Sequence, residues 1–283
     1  MPTSDNQSHV DNAPASASAN ATGRTEQLFE DDPVLGQFVA YYPSNRTRLL
    51  IRAGIAYIVP VLFLQLFFAN LDDATASILL IGSFTALALA VGWYITHLWN
   101  REVVIYERGF TYREGSRAVP FLFLQIVRVN LRAERIRLFG VWRRDIYEYR
   151  LVSDEDEHIR LNNIYKDIAE LGLRLERAIT KARRPIVNAQ LARGERVLFS
   201  AEFILSGDGI TVDNQHLDWR DFMDYKLEAG YIELLTWQPD EDQAGPTQDG
   251  EVWAQVPLKS LENEMLLVEL LKERRKRKRD TTT

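Results

Sequence analysis

Two long stretches of this chain carry no Asp, Glu, Lys or Arg, and they limit what it can fold into more than any other feature. From Ala53 to Leu71 the sequence reads AGIAYIVPVLFLQLFFANL, nineteen residues. As a helix this run is about 28 Å long, against a hydrocarbon core of about 30 Å. From Ala74 to Asn100, ATASILLIGSFTALALAVGWYITHLWN ends in Trp93, Tyr94 and Trp99, amphipathic rings favoured at headgroup level. Core helices of soluble proteins rarely stay uncharged on every face for this length, so a transmembrane helical hairpin is expected over 49–100. Arg46, Arg48 and Arg52 precede it, Arg101 and Arg108 follow it, and the turn NLDDA between the spans has no cation. Cations mark the cytoplasmic side. The expected location is the cell's inner (cytoplasmic) membrane with both termini in the cytoplasm.

Residues 1–27 are rich in Ser, Ala, Asn and Asp and nearly free of large apolar groups, so they cannot offset their ordering entropy. A disordered tail is expected there, then a juxtamembrane segment over 28–48. A secretory signal would set an apolar core directly behind a positive start; the first apolar run begins near Leu49, and no signal is expected. The chain has no cysteine, which excludes disulfides, thiolate nucleophiles and metal sites built on sulfur.

After Asn100 the apolar period changes from helical to two. In VVIYERGFTYREGSRAVPFLF, Val103 and Ile105 precede a turn at Arg108-Gly109, Phe110 and Tyr112 alternate with polar residues, and Val119 and Phe121 open a third strand. The pattern returns in AEFILSGDGITVDNQHLDWRDF, where Gly209, Ile210, Thr211 and Val212 follow Gly109, Phe110, Thr111 and Tyr112 at a distance of one hundred residues. The later turn, Asp208-Gly209, is a strong hairpin signal because glycine tolerates positive φ without strain. Leu217, Trp219 and Phe222 then answer Val119, Phe121 and Leu124. Each stretch ends in a strand followed by a helix. Asn163 is the expected cap of a helix with the stripe Ile164, Ile168, Leu171, Leu175 and Ile179, and Ser260 that of a helix with Leu261, Met265, Val268 and Leu271. Duplication accounts for this agreement. It gives a first module over 101–184, a linker over 185–198 and a second module over 199–271.

Curled antiparallel strands closed by one helix follow the order of elements in a pleckstrin-homology-like domain. Two apolar spans, then IYERGF, Gly194-Glu195-Arg196-Val197-Leu198-Phe199, GDGIT and LDW resemble an uncharacterised bacterial family of membrane-anchored proteins with pleckstrin-homology-like domains. The likeness covers about residues 35–271. It implies a membrane-anchored α+β protein: a two-helix transmembrane hairpin and two tandem pleckstrin-homology-like β-barrel or sandwich modules, each closed by a C-terminal helix. The resemblance implies no reaction and no ligand.

Charge divides the two modules. Residues 101–184 hold 18 Lys and Arg against 13 Asp and Glu, whereas residues 199–271 hold 3 against 16. An anionic cytoplasmic leaflet attracts each nearby cation by about 1 kcal/mol within a Debye length. Arg128, Arg132, Arg135, Arg137, Arg143 and Arg144 are therefore candidate contacts to anionic lipid headgroups, with a solvated basic face as the alternative. A polybasic tail over 272–283 adds Lys272, Arg274, Arg275, Lys276, Arg277, Lys278 and Arg279. It can lie on lipid headgroups, the preferred reading, or fold back on the acidic module, or reach nucleic acid through phosphates. Nucleic acid is disfavoured, since no aromatic side chains are interleaved for stacking.

Catalytic chemistry is not visible. His9, His97, His158 and His216 lack ligand spacing, so neither a metal site nor a cofactor is expected. The acidic run Asp154 to Glu157 and the loop QPDEDQAGPTQDGE read as hairpin tips in water. There is no phosphate-cradling glycine loop and no G-x-S-x-G elbow. The expected function is that of a non-enzymatic integral membrane protein, a cytoplasm-facing adaptor or scaffold whose partners are the membrane and an unknown protein. A regulatory or structural component of a membrane transport or channel complex is the alternative, suggested by Pro60 and Gln65 in the first span.

Overall fold

The computed structural model describes residues 31–68, 73–138, 142–237 and 250–282. The expected disordered tail and most of the loop QPDEDQAGPTQDGE lie outside the described residues. Strand β1 (Phe38–Pro43) falls inside the stretch read from sequence as juxtamembrane. It pairs antiparallel with β2 (Glu102–Tyr106), Pro43 standing opposite Glu102. Between these two partners the chain leaves the sheet as helix α1 (Arg46–Phe68) and returns as helix α2 (Asp73–Trp99). The apolar helices are thus an insertion within a β-hairpin rather than a leader ahead of the first module. Ser44 fastens their root: its N–H donates to Arg101 O at 2.9 Å and its hydroxyl to Trp99 O at 2.9 Å. Asn45 Oδ1 accepts the Arg48 N–H at 3.1 Å, which caps α1. Both helices are long and apolar enough to cross a membrane, and Phe67, Ile78, Leu89 and Trp93 are exposed on them.

The sheet continues through β3 (Gly109–Glu114) and β4 (Arg117–Leu122), in the order β1-β2-β3-β4. A 3₁₀ turn at Phe123–Gln125 leads to a second sheet of β5 (Ile126–Leu138), β6 (Trp142–Ser153) and β7 (His158–Asn162), and helix α3 (Ile168–Ala192) follows. The same order recurs. A four-stranded sheet holds β8 (Val197–Leu198), β9 (Phe203–Leu205), β10 (Gly209–Val212) and β11 (Gln215–Asp218). Its three-stranded companion holds β12 (Phe222–Glu228), β13 (Tyr231–Thr236) and β14 (Glu251–Pro257), and helix α4 (Glu264–Thr282) ends the described chain. Among the described residues each half has two separate sheets and no closed barrel, so of the two expected forms the barrel is not found.

Details coincide between the halves at a spacing of 96. The first strand of each three-stranded sheet is irregular after its first residue, between Ile126 and Arg128 and between Phe222 and Asp224. The residue before each closing helix is left-handed, Asp167 and Asn263 both with φ of 54°. A Cβ on Gly109 or on Gly209 would stand 2.2 Å from the carbonyl oxygen of Phe121 or of Leu217. Close strand approach therefore requires these glycines, not the positive φ expected at Gly209, and Leu217 answers Phe121 rather than Val119. The spacing drops from 100 because β10 and β11 have 4 residues each where β3 and β4 have 6.

The expected caps are also replaced. Asn163 Oδ1 accepts from Tyr147 N at 2.7 Å, and the Ser260 hydroxyl donates to Pro257 O at 2.7 Å; a left-handed turn starts each helix instead. Ile168, Leu171, Leu175 and Ile179 are buried as expected, whereas α4 buries Leu266, Leu267, Leu270 and Leu271 and leaves Met265 and Val268 half-buried. Full burial of each such leucine is worth about 1.5–3 kcal/mol.

The stretch read as a linker over 185–198 begins inside α3. Ile168 to Ile179 pack with Phe110, Ile126 and Leu161 in the first core, while Val187 and Leu191 of the same helix pack with Phe199, Phe203 and Leu267 in the second. Asn263 ties the halves again: Oδ1 accepts from Val129 N at 3.0 Å, Nδ2 donates to Val127 O at 3.0 Å, and its N–H donates to Val129 O at 2.6 Å. The edge of β5 is thereby covered, as an open strand edge generally must be.

Candidate functional site

The predicted basic surface is resolved by strand length. β5 and β6 pair from Ile126 opposite Ser153 to Leu138 opposite Trp142, but β7 stops where Asn162 meets Glu148. Beyond that point β5 and β6 run on as a two-stranded arm, about 20 Å long for the six residues from Tyr147 to Trp142. Arg135, Arg137, Arg143 and Arg144 belong to this arm, with Arg137 opposite Arg143 and Arg135 opposite Asp145, while Arg132 stands at its base opposite Glu148, where the sheet is still three-stranded. Its base lies beside the start of α1, since Asn163 takes the Tyr147 N–H on its side chain and Arg48 Nη1 on its carbonyl at 3.5 Å. Arg128 is not part of the group. It sits at the other end of β5, 3.4 Å from Asp156 and 3.8 Å from Glu262.

The polybasic segment is helical through Thr282 as the continuation of α4. The Arg274 guanidinium lies 5.0 Å over the Trp219 ring, and Arg275 pairs with Asp224 at 3.1 Å. These two cations fold back on the acidic half. Lys272 and Lys276 are exposed, and Arg277, Lys278 and Arg279 follow on the last turns of the helix.

At the root of the apolar helices, Arg101 pairs with Glu114, and the Tyr112 hydroxyl donates to Glu114 Oε2 at 3.2 Å. The Tyr41 hydroxyl donates to Glu102 at 2.8 Å and the Tyr42 hydroxyl to Glu170 at 3.0 Å. Burial first, and these carboxylates next, push both phenols up to about 12. Burial pushes Tyr165 higher still. Protonated throughout the ordinary pH range, the Tyr41 and Tyr42 hydroxyls act as donors that lock β1 to its neighbours.

A cleft of about 1060 Å³ opens in the second half between the end of α3, strands β9 and β10, and α4. Within it Thr211 Oγ1 lies 3.2 Å from His216 Nδ1, and His216 Nε2 lies 4.0 Å from Asp208. A hydroxyl, an imidazole and a carboxylate in that order invite comparison with an acyl-transfer triad. The Asp208 side chain is 73% exposed, however, and too distant to hold the imidazole. Thr211 and His216 are directly opposed cross-strand neighbours, which accounts for their contact. Among the described residues no group of three or more His, Asp or Glu could hold a metal ion.

Sequence reasoning missed the contact between the halves. Besides Asn263, Asn130 Nδ2 donates to Leu261 O at 3.0 Å, and Arg184 pairs with Glu273 at 3.0 Å. Glu176 is buried in α3 and accepts the Met265 N–H at 3.4 Å; burial first, then the nearby Glu264, raises its carboxyl. A signal was present, because Asn263 stands 96 residues after Asp167, two residue types that tolerate left-handed backbone.

A search of curated proteins finds no match to this sequence. Residues 17–280, nearly all of the 283, match the family of unknown function DUF6585. The chain belongs to the DUF6585 family.

Proposed function

We propose that this protein is a non-enzymatic adaptor, held in the cell's inner membrane by the α1–α2 hairpin, with two copies of one pleckstrin-homology-like module on the cytoplasmic face. The observation that supports this reading best is the insertion of both apolar helices between paired residues Pro43 and Glu102. No flexible tether separates the spans from the first sheet, so the spans orient a folded body as well as retain it. The arm of β5 and β6, with Arg135, Arg137, Arg143 and Arg144 on it and Arg132 at its base, starts beside Arg48 in the first turn of α1. That puts it within reach of anionic headgroups, whose attraction falls off within a Debye length. The acidic second half is repelled from the same surface and remains available to a protein partner.

Cross-linking of the full chain in native membranes, followed by purification and mass spectrometry, tests the reading. Recovery of one cytoplasmic protein, lost when Asp218, Asp221 and Glu228 are all changed to Lys, is the expected result. Ion or solute flux through the purified chain in liposomes, with no protein recovered, would overturn it in favour of a transport role.

A further inference from the structure

Beyond Asn162 the β5–β6 arm keeps its register but exchanges the polarity of its two faces. Pairing runs without a break from Arg128 opposite Val152 to Leu138 opposite Trp142, and directly opposed residues share one face. Within the three-stranded part, Leu131 and Tyr149 lie on the core side, where both pack in the first core, and Arg132 and Glu148 lie on the outer side. Farther out the core side carries Arg135 with Asp145 and Arg137 with Arg143, whereas the outer side carries Glu134 with Ile146, Ile136 with Arg144 and Leu138 with Trp142. The apolar residues thus stand on the side away from the core. β7 runs from His158 to Asn162 and ends at the root of the apolar helices, where Asn45 N–H donates to Ile164 O at 2.6 Å and Lys166 N–H to Pro43 O at 3.0 Å. β5 and β7 both pair antiparallel with β6, so β5 heads the same way and continues about 20 Å past Arg132. From Asn45 to Arg52, where the uncharged run begins, α1 advances only about 10 Å.

We propose that the end of this arm is a third membrane contact of the chain, in which Ile136, Leu138 and Trp142 enter the interfacial layer of the bilayer and Arg137, Arg143 and Arg144 stay at its headgroup phosphates. The inference rests on the membrane reading above and goes further. That reading asks only for attraction to anionic lipid, whereas apolar entry attaches the arm to zwitterionic lipid as well. Direction, reach and composition favour the bilayer as occupant. The arm points past the root of the spans and is long enough to pass the level of Arg52. Tryptophan favours headgroup level, and guanidinium groups pair with phosphate while their stems lie along apolar surface. A two-stranded ribbon is marginally stable in water, and among the described residues no third strand pairs with this one beyond Asn162. The interfacial layer supplies the missing apolar cover, and a point of attachment beside the spans restricts tilting of the first half.

The test uses the full chain, which has no cysteine, with a single nitroxide label in phosphatidylcholine nanodiscs. Collisions with oxygen, which concentrates in lipid, are compared with those of a nickel chelate, which stays in water. Labels are introduced by Leu138→Cys in the arm, Leu62→Cys in α1 and Glu155→Cys in the turn before β7, one per chain. Oxygen should prevail at Leu138→Cys as at Leu62→Cys, and the chelate at Glu155→Cys. Adding Trp142→Ser should lower the ratio of inserted to free arm about ten-fold. The chelate prevailing at Leu138→Cys alone would overturn the proposal, and slower exchange of the arm amides in anionic lipid would then leave the electrostatic reading standing without it. The chelate prevailing at Leu62→Cys as well would remove the membrane reading together with the proposal. A ratio unmoved by Trp142→Ser in a folded chain would also overturn it. The comparison of the three single labels needs no further substitution and stands if Trp142→Ser fails to fold. Spin–spin broadening at Leu138→Cys that dilution with unlabelled chain removes, with the label shielded from oxygen and chelate alike, would overturn it by making a second copy the occupant.

Discussion

Asn263 is where the two halves are most exposed to a single substitution. Changing it to Ala removes two side-chain hydrogen bonds to β5, each worth about 1 kcal/mol. It also forces alanine to hold a φ of 54°, at a cost of about 1 kcal/mol or more. The expected loss is therefore about 3 kcal/mol. Glycine removes the same bonds without the backbone strain and should lose about 2 kcal/mol. Aspartate keeps the acceptor for Val129 N but not the donor to Val127 O, and should lose about 1 kcal/mol. Hydrogen exchange of the β5 amides in detergent measures local opening directly: a 3 kcal/mol loss corresponds to roughly hundred-fold faster exchange at Val129. The order Asn, Asp, Gly, Ala in falling protection is the signature. If Ala matches the unmodified chain, or Gly falls below Ala, then neither the bonds nor the left-handed backbone at Asn263 holds the halves together.

Other perturbations have a definite sign. Burial raises the Glu176 carboxyl above the 4.5 of the free side chain, so above that pH the folded chain retains a proton that the unfolded chain has lost, and stability falls as pH rises. Glu176→Gln, which keeps an acceptor for Met265 N, should raise the melting temperature at about pH 8 and leave it unchanged at about pH 4; equal shifts would refute this. Gly172→Ala, favourable in an isolated helix, would set a Cβ 1.9 Å from the Tyr149 ring and should cost about 1–3 kcal/mol, read as a lowered denaturation midpoint. Amides of the β5–β6 arm should exchange more slowly in anionic than in neutral nanodiscs, and equal rates would remove its headgroup role. Because the chain has no cysteine, Ser116→Cys should react with an impermeant maleimide only after cells are opened, and Ala74→Cys in intact cells as well.

The apolar helices were legible because a run without charge can be recognised locally. The hairpin motif at Gly109 and Gly209 was equally plain, since both glycines are fixed by the same approach to a facing carbonyl. What failed was contiguity. β1 belongs to a sheet whose next strand begins at Glu102, after both helices, and nothing in FVAYYP names so distant a partner. The start of α3 was misplaced for a related reason: Asn163 has the composition of a cap, but its side chain is drawn to Tyr147 N on another strand. The linker expected over 185–198 fell where the helix in fact continues past Pro185 and carries Val187 into the second core. The arm was readable as basic sequence only; that β7 ends at Asn162 and leaves it two-stranded depends on where the chain turns toward Tyr165.

A continuous path of ordered contacts leads from the apolar helices to the second half. Pro43 and Glu102 fix the helices to the first sheet, the first core fixes that sheet to α3, and α3 with Asn263 fixes the second half. A module on a flexible linker samples a volume, and its effective concentration falls with linker length. Here the path contains helix, sheet and a doubly bonded asparagine in place of such a linker. For the proposed adaptor, a partner on the acidic second half would then stand at one distance and orientation from the bilayer, and geometry as well as affinity would select it. Lengthening the passage from Ala192 to Arg196 by a few residues would leave both cores intact yet strain the Asn263 contact. Partner recovery should consequently fall with Asn263→Ala although its side chain bonds only to β5 of the first half.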